Sequence, residues 1–453
     1  MGRRAAFHSL GCRVNAYETE AMTEQLRQAG YTIVPFESAA DVYVINTCTV
    51  TNIADRKSRQ MLHRAKELNS DAVVVAAGCY AEDEAARCGT DPAVDLTVGN
   101  HGKSKLALIL EEYFEHRDPL WENPDISTVK EYDGLAISDT EERARAFIKI
   151  QDGCNQFCSY CVIPYVRGRV RSRQLSDVLD EAGRLAGAGF REVVLTGIHL
   201  SSYGLDFLSP GRNLQTPDAS AAETNRLLLT LIRETAEIPG IERIRMGSLE
   251  PGIMTEEFVS EIAALPAVCP HFHLSLQSGC DATLQRMKRK YTAADFRKIC
   301  ERLRAHFDRP AITTDLIAGF PGETDEEFRM SLDFAREMQF AKMHVFKYSR
   351  RDGTKAAEMS GQISETVKKE RSRLLLELDR QAHAAYAGSF AGETVEVLFE
   401  ETETRGGRTF STGHTRHFLE VCAEGSAGAG TVRRCTVTGL LDDGRLAVSL
   451  REK

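Results

Sequence analysis

Apolar and polar positions along the first 115 residues follow two periods. Short apolar runs, "AAFHSLGC" (5–12), "DVYVINTC" (41–48), "DAVVVAAGC" (71–79) and "VDLTVGN" (94–100), have the length and β-branched content of buried strands. Between them lie helical patterns: "YETEAMTEQLRQAG" (17–30), stopped by Gly30 as a C′ residue, the basic amphipathic "ADRKSRQMLHRAKELN" (54–69), and "KSKLALILEEYFEH" (103–116). Apolar strands alternating with helices predict an α/β domain with a doubly wound parallel sheet over residues 1–115.

Residues 116–139 are polar and carry prolines, so they are expected to form a linker. A second series follows. Its apolar runs are "AFIKIQ" (146–151), "EVVLTG" (192–197), "RIRMGS" (243–248), "HFHLSL" (271–276), "ITTDLIAG" (312–319) and "AKMHVFKY" (341–348), separated by helical patterns. Six such units fall two short of a closed eightfold barrel, so 140–372 is expected to be a partial (βα)6 barrel. Polar residues gather just past these strands, on the face where barrel active sites lie. "FLSPGRNLQTPDASAAE" (207–223) reads as an inserted surface loop. After a long helix, short alternating runs between glycine-rich turns predict a small antiparallel β-barrel over 375–449.

The net charge of −9 gives no general attraction to nucleic acid, so RNA binding would need local basic patches. The N-terminus lacks a signal peptide's apolar core, and no run of about 18 apolar residues occurs. No membrane span and a cytoplasmic location are therefore expected. In that reducing compartment twelve cysteines are not a disulfide framework, and clustered ones point to metal or catalysis. Cys88, Cys269, Cys280, Cys300, Cys422 and Cys435 are scattered and read as small apolar core residues.

The other six carry the chemistry. Cys12, Cys48 and Cys79 each stand at or just past the C-terminal end of a predicted strand. That edge of an open α/β sheet forms the ligand crevice, so the three can meet in a shared metal site. Cys154, Cys158 and Cys161 share one loop, "QDGCNQFCSYC", with C-x3-C-x2-C spacing. A structural zinc site closes with four ligands, usually from two C-x2-C hooks. Three thiolates on a 4Fe–4S cluster leave one iron open, which suits access by a substrate or cofactor.

This loop resembles the radical S-adenosylmethionine superfamily. The resemblance implies that Cys154, Cys158 and Cys161 ligate a 4Fe–4S cluster whose open iron chelates S-adenosylmethionine, which is then split to a 5′-deoxyadenosyl radical. "LTGIH" is similar to the family's glycine-containing stretch, which implies that Gly197 lies near the cofactor's methionine end. The glutamate-bearing form of that motif is absent, Ile198 and His199 following the glycine. "TDLIAGFPGET" matches a cofactor-side segment and makes Asp315 a further candidate, or a strand-end residue with a structural hydrogen bond. The whole layout resembles the methylthiotransferases, an α/β domain, a radical domain and a terminal barrel called TRAM. "GCRVN", "NTCTVT" and "AAGCY" match the family's N-terminal motifs, which implies that Cys12, Cys48 and Cys79 hold an auxiliary 4Fe–4S cluster carrying the sulfur to be inserted. The resemblance further implies two molecules of S-adenosylmethionine per turnover, a flavodoxin, ferredoxin or reductase as electron donor, and a sulfur donor.

Three subfamilies share this architecture. The stretches "GCRVNAYETEAM", "HFHLSLQSGCDATLQRMKRKYT" and "FKYSRRDGTKA" are most similar to the one that methylthiolates N6-threonylcarbamoyladenosine (t6A) at C2, next to the tRNA anticodon. The alternatives are isopentenyladenosine in tRNA, an aspartate of a ribosomal protein, and a non-catalytic iron–sulfur or zinc RNA-binding module. For the RNA, Arg167, Arg169, Arg171 and Arg173 alternate and would share one side of an extended segment. Arg286, Lys288, Arg289 and Lys290 make a second cluster. "GHTRHF", with His414 and Arg416, resembles the RNA-contact turn of the TRAM barrel.

Overall fold

The computed structural model describes residues 2–83, 91–116, 121–137, 144–208 and 218–450. Strands β1 (Arg4–Ser9), β2 (Thr32–Ile33), β3 (Val42–Thr47), β4 (Val73–Gly78) and β5 (Leu96–Val98) form one sheet in the order β2-β1-β3-β4-β5. All its pairings are parallel. β3 and β4 are buried at every residue, which is why they read as unbroken apolar runs. Helices cover both faces. Tyr17, Met22, Leu26, Ile109 and Leu110 pack on one, Leu62, Ala65 and Tyr80 on the other. The two-residue edge strand β2 is too short to show in the sequence pattern.

The central region carries β6 (Arg145–Asp152), β7 (Arg171–Ser172), β8 (Glu192–Gly197), β9 (Arg243–Met246), β10 (His271–Gln277), β11 (Ala311–Ala318) and β12 (Lys342–Lys347). β6, β8 and β9 are parallel, and so are β10, β11 and β12. Isolated bridges Ile244–Val268 and Leu249–Leu274 span from the first group to the second, so the sheets curl round one side. Each expected strand is present within a residue or two at its ends. Of the expected inserted loop, 209–217 lies outside the described residues, and the helix Asp218–Ala236 follows it. One apolar core, including Leu195, Phe272, Leu274, Phe296 and Phe340, lies behind these strands.

The segment expected to be a linker is packed rather than solvated where it is described. Ile126, Leu135 and Ile137 are buried, and Tyr132 donates to the Lys149 carbonyl at 2.9 Å. Its polar composition conceals these anchors. At the other end β13 (Thr394–Arg405), β14 (Arg408–Thr415), β15 (Glu420–Glu424), β16 (Val432–Leu440) and β17 (Leu446–Ser449) close a barrel in the order β13-β14-β15-β17-β16. It is not wholly antiparallel as expected, because β15 and β17 pair in parallel. The helix Glu365–Gly388 runs unbroken through residue 375, where the sequence suggested a boundary. Its Leu375 and Leu378 belong to the central core and its Ala387 to the barrel core. Among the described residues no helix is long and apolar enough to cross a membrane.

Candidate active site

Adjacent strands β1, β3 and β4 deliver the first three thiols to one sheet edge. Cys12 caps the helix Arg13–Gln28, Cys48 follows β3, and Cys79 opens the short helix Cys79–Asp83. Glycine makes this convergence possible. Gly11 has φ +94°, and a Cβ there would stand 2.7 Å from the Cys48 Sγ. Cys48 is fixed by Ser58, whose hydroxyl accepts from its N–H at 3.2 Å and donates to its carbonyl at 3.1 Å. The Cys79 sulfur accepts from Arg167 Nε at 3.3 Å and from Asn100 Nδ2 at 3.5 Å. Burial, with Cys79 and Cys12 nearby, pushes the Cys48 thiol up to about 11. Bound cations would lower it again, since metal coordination deprotonates a thiol.

The second trio leaves the end of β6. Gly153 has φ +70°, and its missing Cβ lets the Arg169 carbonyl approach to where a Cβ would stand 1.9 Å away. Cys154 N donates to the Gly168 carbonyl at 3.1 Å, and Cys161 N to the Cys158 carbonyl at 3.1 Å, so the loop curls on itself. Burial, then the neighbouring Cys158, pushes the Cys161 thiol up to about 12. Burial and Cys161 likewise push Cys154 up. Arg289 Nη1 donates to the Cys158 sulfur at 3.3 Å. Among the described residues no three His, Cys, Asp or Glu side chains are gathered tightly enough to hold one metal ion. A four-iron cube takes its ligands at separate corners. Two sets of three thiols, each with an arginine N–H aimed at a sulfur, fit anionic thiolate-bound clusters of that kind.

Between the trios lies a buried charge network that the sequence reading missed. Arg167, fully buried, donates to Glu18 at 2.9 Å, Asp152 at 3.1 Å and Asn15 at 2.6 Å. Lys149 reaches Glu18 and Asp152, each at 2.6 Å, and Lys103 also pairs with Glu18. Burial alone would raise the Glu18 carboxyl, but Arg167, Lys103 and Lys149 outweigh it and hold it well below the usual range. Lys149 inside the apolar run "AFIKIQ" was the one available signal.

Gly197 ends β8 against Gln151, whose amide donates to the Gly153 carbonyl at 2.7 Å, so it adjoins the cysteine loop. Past it, His199 stands 3.4 Å from Glu250, which is 3.7 Å from Arg289. Asp315 pairs with His273 Nε2 at 3.1 Å on the wall of a cavity of about 930 Å³ that Thr196, the neighbour of Gly197, also lines. Cys12, Arg245, His344, Phe346 and Phe418 line the same cavity.

The arginine expectation is largely overturned. Arg167, Arg171 and Arg173 are buried and internally bonded; Arg169 alone of the four is exposed. Arg171 donates to the carbonyls of Arg167 and Arg169 at 2.8 and 3.1 Å, and Arg173 pairs with Glu181. The cause is β7, whose pairing with β6 turns these side chains into the seam. The "GHTRHF" turn packs partly against the central region and partly lines the cavity, through His414, His417 and Phe418. His414 bonds Glu400 at 2.7 Å, and Arg416 donates to the Val268 carbonyl at 3.0 Å. Phe418, at φ +63°, sits under the guanidiniums of Arg145 and Arg245, at 5.0 and 4.8 Å. Of the scattered cysteines, Cys269, Cys280, Cys300 and Cys435 are buried, Cys422 is half-buried, and Cys88 lies outside the described residues.

Comparison with known proteins agrees with this geometry. Residues 4–99 match the profile described as uncharacterized protein family UPF0004, and 148–335 match the radical SAM superfamily. The chain is 40% identical to "Threonylcarbamoyladenosine tRNA methylthiotransferase MtaB" of Bacillus subtilis (strain 168), over 93% of this chain and 90% of the relative. It is 38% identical to the protein of that name in Aquifex aeolicus (strain VF5), over 96% and 100%. A "tRNA-2-methylthio-N(6)-dimethylallyladenosine synthase" of Pelotomaculum thermopropionicum is 34% identical over 95% and 94%. The solved radical S-adenosylmethionine methyltransferase TsrM of Kitasatospora setae shares the fold, with a TM-score of 0.56 at 18% identity, over 79% of this chain and 77% of that one. The chain belongs to the radical S-adenosylmethionine methylthiotransferase family.

Proposed function

We propose that this chain is the tRNA methylthiotransferase that converts t6A next to the anticodon into its 2-methylthio form. The observation that carries the reading is the pairing of two cysteine trios across one buried arginine, beside a cavity on which Cys12 opens. Cys154, Cys158 and Cys161 would hold the cluster that takes S-adenosylmethionine, with Gly197 on its methionine side, and Cys12, Cys48 and Cys79 the auxiliary cluster. Bound there, the two 4Fe–4S clusters and S-adenosylmethionine supply the one-electron chemistry and the methylated sulfur that an aromatic C–H bond, with no acidic proton, requires. The protein's own work is positional. The Arg167 network fixes the two trios relative to each other, and Phe346, 51% exposed on the cavity wall, offers a face for a base to stack on. Asp315 and His273 would meet polar edges of the nucleoside.

On this reading 1–115 is the auxiliary-cluster domain and 140–372 a radical core whose two sheets together make a partial (βα)6 barrel. The terminal barrel is a TRAM domain. A flavodoxin, ferredoxin or reductase supplies electrons, a separate donor supplies sulfur, and the enzyme works in the cytoplasm. The test uses protein reconstituted with iron and sulfide, S-adenosylmethionine, a reductant and tRNA carrying t6A. Nucleoside mass spectrometry should show t6A gaining one methylthio group. Cofactor cleavage with no gain on t6A, but a gain on isopentenyladenosine or on the ribosomal aspartate, overturns the substrate assignment.

A further inference from the structure

The overall charge is −9, yet one face concentrates exposed cations that make no ion pair among the described residues. On the helix Asn52–Leu68, Arg56, Lys57 and Arg59 are exposed and make no ion pair among the described residues, whereas Arg64 and Lys66 further along pair with Glu37 and Asp95. The same holds for Lys288 and Lys290, and for Arg350 and Lys355. These three stretches are tied together. Arg351 donates to Asn52 at 2.9 Å and Thr49 at 2.7 Å and pairs with Asp55. Ala356 N donates to the Ser159 carbonyl at 2.8 Å, and Ser159 N to the Met287 carbonyl at 3.1 Å. The patch therefore runs from the Cys48 loop, past residues 350–355, to the Cys154–Cys161 loop. Among the described residues its acidic members are Asp55, held by Arg351, and the exposed Asp352 and Glu358. Lys288 and Lys355 stand against each other, and this like-charge contact lowers Lys288 from the ordinary lysine range.

A second, independent feature lies beside Ser159, whose N–H reaches the Met287 carbonyl. The cysteine loop presents Tyr165, 52% exposed, edge-on to Phe157 at 5.6 Å, with the exposed Arg169 over the Phe157 ring at 4.5 Å. Cations around an exposed aromatic ring suit a single-stranded RNA loop, whose phosphates track the charges while an unpaired base stacks on Tyr165. We infer that the anticodon loop of the substrate tRNA docks on this face, across the mouths of both cysteine trios, with the exposed arginines of β16 in the terminal barrel outside the contact. This rests on the tRNA reading above and names the surface that serves it.

The test compares binding of t6A-containing tRNA to the reconstituted full chain between about 50 and 200 mM salt. Each lost phosphate contact removes about 0.7 from the slope of log K against log salt, so Lys288→Ala/Arg350→Ala/Lys355→Ala should lower it by about 2. Referred to 1 M, that is a loss of several tens of fold in affinity near 0.15 M. Melting temperature and iron content should stay at the wild-type level, which excludes misfolding. The control is Arg433→Ala/Arg434→Ala, both exposed on β16. A wild-type slope and affinity in the triple variant, or a loss in the barrel variant as large as that in the triple variant, overturns the inference. If the wild-type enzyme methylthiolates t6A tRNA while the triple variant binds normally, only this surface assignment falls. If the wild type neither binds nor modifies tRNA, the functional reading itself falls, and the surface with it.

Discussion

Replacing Arg167 by methionine removes a charge that touches both halves of the site. The carboxylates are not stranded by the change, since Glu18 keeps Lys103 and Lys149 and Asp152 keeps Lys149. What is lost is the guanidinium fork to Glu18 and Asp152, the bond to Asn15, and the donor to Cys79. Breaking a buried ion pair outright costs about 3–5 kcal/mol. With two lysines left in place the expected cost lies at the low end, about 3 kcal/mol. Arg167→Lys restores the charge without the fork and should recover about half. The assay is the denaturant midpoint of the reconstituted protein, read at pH 7 and again at pH 4. Glu18 is held below its ordinary value in the folded state, so its contribution is present above the ordinary glutamate range and lost as pH falls through the folded value. Methionine weakens that hold. The gap between variant and wild type should therefore be full at pH 7 and close only as pH falls below the folded value in the variant, where Lys103 and Lys149 still hold the carboxyl down. A second readout is the auxiliary cluster's reduction potential, which loss of the hydrogen bond to Cys79 should make more negative while the cluster at Cys154 keeps its own. A destabilisation below about 0.5 kcal/mol at pH 7, or a gap that widens toward acid, would refute the electrostatic account.

Three further outcomes are expected. Cys158→Ala should abolish reductive cleavage of S-adenosylmethionine, whereas Cys48→Ala should leave cleavage intact and abolish methylthio insertion; full insertion by the Cys48 variant would remove Cys48 from the auxiliary set. Gly11→Ala forces a Cβ within 2.7 Å of the Cys48 sulfur at φ +94°, so bound iron should fall from about eight to about four per chain, and unchanged iron would contradict the crowding. Phe418→Ala removes the ring beneath two guanidiniums and should cost about 2 kcal/mol, read as faster hydrogen exchange in β14 and β15; unchanged exchange would mean the barrel is docked by other contacts.

Most of the scaffold was legible because its signals are local. Buried parallel strands leave unbroken apolar runs, and Cys12, Cys48 and Cys79 end three of them, so their convergence followed from the rule that strand ends line a crevice. The arginines were misread for the opposite reason. Alternation in "RGRVRSR" specifies which side chains share a face but not what covers it. Here the cover is Glu18 from a helix more than a hundred residues earlier, Asp152 at the end of β6, and Glu181 beyond the segment. In "GHTRHF" the sequence does not separate the roles: Arg416 meets the carbonyls of Pro266 and Val268, while His414, His417 and Phe418 line the cavity. The boundary near 375 was invisible because strand and helix patterns mark changes of element, and this helix serves two cores without changing.

That continuous helix has a mechanical consequence. A barrel joined through a flexible tether could swing clear to admit a bulky substrate and close again. Here the connection is a 24-residue rod with one end set in each core. Rotating the barrel would mean bending that rod or tearing Leu375 and Leu378 from their seats. The barrel is therefore a fixed wall of the cavity on which Cys12 opens, and a chain cut at residue 375 would lose part of its central core along with the barrel.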